Sequence, residues 1–290
     1  MSAENHIRNP FEVALEQFSW AFSDASHAVV AERRAHVDRT APAIRRIDAR
    51  DLWDALRQGF GDLAATRDDV VFIALVYPLA GLVLAQLILN HDLLPLLFPL
   101  ASGFALIGPV AAIGLYEISR RHERGAPVAW TDAFGVLRSP ALGSIFGLAL
   151  ILLAVLLLWL AAAYGIYRAT LGPASPASVA AFVHDVFSTG AGWTMIVAGV
   201  GVGFLFAVLA LAISVVSFPL LLDRDVGIGR AIMTSVRAVA ANPGPMSLWG
   251  LIVAGSLALG SAPAFFGLIF VMPVLGHATW HLYRKVTAEA

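Results

Sequence analysis

The sequence predicts an all-α membrane protein, a bundle of six transmembrane helices, and three observations carry that prediction. First, 59% of the 290 residues are hydrophobic and 13% are charged, with a mean hydropathy of +0.78. An ordinary soluble domain carries about 25% charged residues, so a water-facing surface cannot be built from this composition and a bilayer is the natural solvent. Second, the apolar residues gather into six stretches. Each approaches the roughly 20 residues that cross about 30 Å of hydrocarbon. Third, Arg and Lys are segregated between the segments joining those stretches.

Taken in order, residues 1–43 hold scattered charges of both signs and no apolar run, so no signal peptide is predicted there. Phe11, Leu15, Phe18 and Phe22 lie at helical spacing, which suits a partly helical cytoplasmic extension. The membrane domain spans residues 44–286. It opens with an amphipathic segment, 51–63, where Leu52, Leu56, Phe60 and Leu63 form one apolar stripe and Asp51, Asp54, Arg57 and Asp62 fill much of the remainder. The spans follow at about 70–89, 93–118, 141–167, 193–222, 246–259 and 263–283. Gly260-Ser261-Ala262-Pro263 divides the last two into a tight hairpin. Residues 287–290 are a short tail.

Nine Arg precede the first span. Arg120, Arg121, Arg124 and Arg138 follow the second; Arg224, Arg230 and Arg237 follow the fourth; Arg284 and Lys285 follow the sixth. The opposite side holds only Arg168. Positive charge marks the cytoplasmic side, so both termini are expected inside, with residues 90–92 and 168–190 outside.

A unit of amphipathic segment, span out and span back recurs three times. Asp54-Ala55-Leu56, Asp132-Ala133-Phe134 and Arg230-Ala231-Ile232 mark the segments. Pro109, Pro219 and Pro273 lie inside the returning spans and predict kinks. Two spans per unit make the repeats parallel, unlike the inverted repeats of many transporters. Gly143 with Gly147, and Gly199 with Gly203, are GxxxG pairs that predict close helix packing within the bundle, with homo-oligomerisation as the alternative. Trp53, Trp130, Trp280 and Tyr283 are expected as interfacial anchors.

The absence of Cys excludes disulfides, thiolate metal sites and thiol nucleophiles. A net charge of −1 gives no pull toward nucleic acid. The spans are nearly free of ionisable residues, which in a bilayer are costly and mark function. Polar groups collect instead at the cytoplasmic ends of the returning spans: Glu117, Asp223 and the pair His277 and His281. Two His four residues apart share a helix face. With Glu117 or Asp223 they are candidate metal ligands, and a haem ligand is a further option. The same residues also suit a simple interfacial cluster of anchors and ion pairs. On the outer side, His91-Asp92 and His184-Asp185 offer a second, weaker metal pairing.

The stretches RDDVVFIALVYPLAGLVLA, LLPLLFPLASGFALIGPVAAIGLYEISRR, VVSFPLLLDRDVGIG, SVRAVAANPGPMSLWGLIVA and LGHATWHLYRK resemble a family of predicted bacterial integral membrane proteins of unknown function. The resemblance covers roughly residues 44–286. Some members are labelled putative cytochrome c oxidase subunits. The resemblance implies a multi-pass protein of the bacterial inner membrane. It assigns no activity and no functional residues, and any link to an oxidase would be accessory or assembly work. Three functions are weighed. A non-catalytic scaffold, accessory subunit or assembly factor with a membrane-protein partner comes first. A transporter or flippase for a small apolar or amphipathic solute is second. A metal- or haem-binding redox protein using His277 and His281 is third.

Overall fold

The computed structural model describes residues 42–65, 81, 82, 86, 93–263 and 265–287, and every described residue lies in the compact unit Thr40–Ala290. The expected extension before residue 42, most of the first span at 70–89, and His91 and Asp92 lie outside the described residues. Among the described residues the architecture is helical throughout, with one isolated antiparallel bridge between Ile44 and Thr287.

Helix α1, Ala49–Ala65, starts where the Asp48 carboxylate accepts from the backbone N–H groups of Arg50 and Asp51. Asp51 reaches back to the Asp48 N–H, closing a reciprocal cap. The segment is amphipathic as expected, but its buried stripe is rotated from the expected one. Leu52, Ala55, Gly59 and Asp62 face inward, while Trp53 and Phe60 face outward. The cause is a close helix crossing. A Cβ on Gly59 would stand 2.7 Å from the Ala278 amide nitrogen and 2.8 Å from the Val274 carbonyl oxygen. Backbones can approach so closely only at a residue without a side chain.

The second predicted span is two helices, α2 (Leu97–Ala111) and α3 (Ile113–Glu123), broken at Ala112 just after Pro109. A 3-10 helix, Trp130–Arg138, replaces the expected amphipathic helix there and packs on α3. Helix α4, Leu142–Thr170, follows the densest apolar run. The segment 168–190, expected outside the membrane, contains α5, Val179–Ser188, capped by Ser178. The fourth span is α6 (Gly190–Ser214) and α7 (Ser217–Asp223). Pro219 cannot donate to the carbonyl four residues back, and the helix breaks at Val215–Val216. Ser235 of α8 (Ile228–Ala241) accepts the buried Val216 N–H at that break.

Helices α9, Pro243–Ser261, and α10, Leu268–Val286, form the closing hairpin. Gly260 and Gly267 meet backbone to backbone at the turn, a Cβ on Gly267 falling 2.7 Å from the Gly260 Cα. Phe265 takes a left-handed φ of 68°. Pro273 sits in the first turns of α10, which continues past it.

Among the described residues, three helical stretches are long and apolar enough to cross a membrane: Leu142–Thr170, Gly190–Asp223 and Pro243–Ser261. They present Phe146, Leu157, Leu158, Phe204, Leu205 and Leu251 outward, side chains that water would not accept but lipid does. Gly203 lies under the Trp159 ring and Gly147 under Ile228, whereas a Cβ at Gly199 would meet nothing within 4 Å and Gly143 is exposed. Of the four expected packing glycines, then, Gly147 and Gly203 make tight contacts.

Candidate functional site: a buried aspartate among histidines

Because α1 crosses α10 at Gly59, Asp62, one turn further along, stands over the face that carries His277 and His281. Helix α3 completes the site with Ser119 and His122. Asp62 is 5% exposed, and both its oxygens are used. Oδ1 lies 2.7 Å from His122 Nδ1. Oδ2 lies 2.8 Å from His281 Nε2 and accepts from Ser119 Oγ at 2.6 Å. Burial raises the carboxyl pKa, but the hydrogen bonds from His281 and Ser119 and the charge of the nearby histidines outweigh it and hold Asp62 at about 2. The carboxylate is therefore ionised at neutral pH.

Ser119 has one proton, and Asp62 takes it. His277 Nδ1, 2.7 Å from the same serine oxygen, must therefore be the donor to it. That assigns the tautomer, since a neutral His277 carries its proton on Nδ1 and a lone pair on Nε2. His277 is fully buried, and its Nε2 has no hydrogen-bond partner. An oriented imidazole with a free, enclosed lone pair is the arrangement found when the other ring nitrogen is held by an outer partner.

The remaining polar groups at this end of the bundle pair with one another. Glu117 is buried between Arg120 Nη2 at 2.6 Å and Arg121 Nε at 2.9 Å. Arg121 also reaches Asp132 of the 3-10 helix at 2.7 Å, and Arg120 donates to the Leu222 carbonyl of α7 at 2.8 Å. Asp223 accepts from Tyr283 Oη at 2.8 Å and faces Arg124 and Arg284 at 3.6 Å. Glu123 accepts from Trp280 Nε1 at 3.1 Å and from Arg284 Nε at 2.9 Å. Helices α3, α7 and α10 are thus tied together where they end.

Of the four candidate metal ligands, His277 and His281 come together, but with Asp62, Ser119 and His122. Glu117 and Asp223 are engaged by arginines. Among the described residues, no group of three or more His, Asp or Glu side chains is arranged to hold a metal ion. Two of the four expected anchors sit inside the protein. Trp280 and Tyr283 are enclosed because their polar tips find carboxylates on neighbouring helices. Trp53 is exposed, and Trp130 opens the 3-10 helix. Of the second expected pairing, His184 and Asp185 are exposed and 3.6 Å apart.

Asp62 was expected off the apolar stripe of α1, among the residues that fill much of the remainder, and neither Ser119 nor His122 stood out in the sequence. The available signal was the spacing Ala55, Gly59, Asp62, two small residues and then a carboxylate on one face, which reads as a close crossing that carries an acid inside.

No curated protein and no solved structure matches the chain. Residues 97–223, from α2 to the end of α7, match the model of a family described as predicted integral membrane protein (DUF2189), so this segment, which contributes Ser119 and His122 to the site, is similar to a family of integral membrane proteins.

Proposed function

We propose that the chain is a non-catalytic protein of the bacterial inner membrane, a scaffold, accessory subunit or assembly factor, with six spans, three parallel repeats and both ends cytoplasmic. The observation that carries this reading is the division of labour among side chains. Leu142–Tyr167, Gly190–Leu222 and Pro243–Ser261 contain no Asp, Glu, Lys, Arg or His, and transport of an ion or proton calls for one at depth. The carboxylates at the bundle end are bound to groups on neighbouring helices, an arrangement that supports a structural role. The distribution of Arg and Lys supports the orientation.

The test is the state of the protein in native membranes. A scaffold or accessory subunit runs, after mild solubilisation or cross-linking, as a defined assembly larger than the 30.7 kDa chain, with a second membrane protein at fixed stoichiometry. A chain that runs alone, and that on reconstitution lets a small amphipathic solute cross the vesicle wall, would replace this reading with the transporter.

One observation favours a second reading, a bound haem or metal: the oriented, unpartnered Nε2 of His277. Ser119 and Asp62 would hold the imidazole, and His277 would supply one nitrogen ligand. An absorption spectrum and elemental analysis of untagged protein, supplied with haem and metal during expression, test it. A Soret band or stoichiometric metal that disappears in His277→Ala supports this reading, and an empty wild type ends it.

A further inference from the structure

Each of the three short helices beside the bundle end has an outward face that the helix-to-helix clasps do not use. Helix α1 turns Trp53, Arg57 and Phe60 outward, with Arg57 four residues after the tryptophan and three before the phenylalanine. The 3-10 helix turns Phe134, Leu137 and Arg138 outward, Phe134 and Leu137 lying on one edge of its three-residue turn. Helix α8 turns Met233, Val236 and Arg237 outward. Each surface pairs large apolar side chains with an exposed arginine four residues after one of them.

Arg57, Arg138 and Arg237 have no ion-pair partner among the described residues. This separates them from Arg120, Arg121, Arg124 and Arg284, all of which face carboxylates. Their depth follows from the chain. Ala241 ends α8 one residue before α9, and Arg138 ends the 3-10 helix shortly before α4 begins at Leu142. Ala65 precedes the apolar stretch at 70–89 by a similar interval. Each of these helices therefore ends within a few residues of an apolar stretch, and such helices beside the apolar layer suit the level of lipid headgroups.

We infer that these surfaces hold anionic phospholipid, each arginine taking a headgroup phosphate while the apolar side chains lie against the upper acyl chains. A cation beside exposed aromatic or aliphatic side chains at headgroup depth matches an anionic amphiphile.

The experiment counts lipids bound to the detergent-purified full-length protein by native mass spectrometry, from an equimolar mixture of phosphatidylglycerol and phosphatidylcholine. A basic residue near an anionic membrane surface adds about fivefold to binding. Wild type should therefore hold at least about threefold more phosphatidylglycerol. The triple variant Arg57→Gln, Arg138→Gln, Arg237→Gln should fall to near parity, and the triple Lys variant should recover most of the preference. Equal binding of the two lipids by wild type would overturn the inference, as would an unchanged preference in a Gln variant whose melting midpoint matches wild type. Brominated phosphatidylglycerol supplies an independent measure. It should quench an emission component that disappears in Trp53→Phe, and no difference between the two proteins would also count against the lipid.

Discussion

Where α4 meets α6, and where α1 and α3 meet α10, helices are joined by opposite chemistry. Between α4 and α6 the contact is Trp159 lying on Gly203 and against Phe206, with ring centroids 5.8 Å apart. The only polar atom of Trp159 is turned away, donating to the Pro99 carbonyl at 2.9 Å. Between α1, α3 and α10 the contact is a carboxylate with a serine and three imidazoles around it. Lipid explains the contrast. In hydrocarbon, apolar surface gains nothing by leaving its surroundings, so α4 and α6 hold together by shape. At the bundle end, buried charge gives strong and specific contacts if every partner is present and is costly if one is removed.

The largest effect is therefore expected from Asp62→Ala, which leaves Ser119, His122 and His281 facing an empty space. Removing one member of a buried charged cluster costs about 3–5 kcal/mol. Thermal unfolding in detergent should show α1 lost from α10, with protease entering the chain near residue 65. An unchanged midpoint would mean that the cluster contributes no stability. Gly59→Leu should follow, at about 1–3 kcal/mol or more, because the new Cβ meets backbone atoms of α10 that have no rotamer to change. It should release α1 without touching any polar group. If Gly59→Leu is silent while Asp62→Ala is not, the close crossing is not what brings the acid inside.

The pH dependence of the bundle end has a defined sign. Asp62 is held at about 2, below its ordinary value of 3.8. A depressed carboxyl stabilises the fold fully above the unfolded value, and that contribution is lost as pH falls from about 4 through about 2. An unfolding series across that window should show an acid limb that Asp62→Asn lacks, since the amide has nothing to protonate. An identical limb in both proteins would assign it elsewhere. The smallest effect is a contrast within α6. Gly203→Ala puts a methyl 2.9 Å from the Trp159 ring and should cost about 1 kcal/mol. Gly199→Ala enters open space and should be neutral or slightly stabilising, by the ordinary helix preference of alanine. Equal behaviour of the two variants would remove the shape argument for α4 and α6.

The same contrast explains what could be read in advance. Hydropathy is a sum over neighbours in sequence, so the long apolar helices were legible: α4, α6 with α7, and α9 fall within a few residues of the expected stretches. Proline also spoke locally, and breaks follow Pro109 and precede Pro219. The polar cluster could not be read this way. Its members are separated by up to 219 residues, and helix periodicity says which residues share a face without saying what that face meets. The apolar stripe of α1 pointed toward Phe60, yet the small residues Ala55 and Gly59 won because they permit a closer backbone approach than large side chains do. His277 and His281 were visible as a pair, and the acid between them and α3 was not. Helix α5 was missed because ten mostly apolar residues are too few to span a bilayer, and His184 and Asp185 drew the reading toward an exposed connection.

The joining of α1 to α10 also has a consequence in time. Helix α10 leaves the ribosome long after α1 and carries its partners, with His281 219 residues behind Asp62. At roughly 5 to 20 residues per second, Asp62 waits roughly 10 to 45 s after its own synthesis before His281 exists. Throughout that interval α1 has no α10 to lie on, and a face ending in a carboxylate must stay wet. Ribosome-bound chains halted before residue 268 should therefore leave α1 open to protease, and chains extended well past residue 287 should protect it, so that docking of this helix waits on the synthesis of α10.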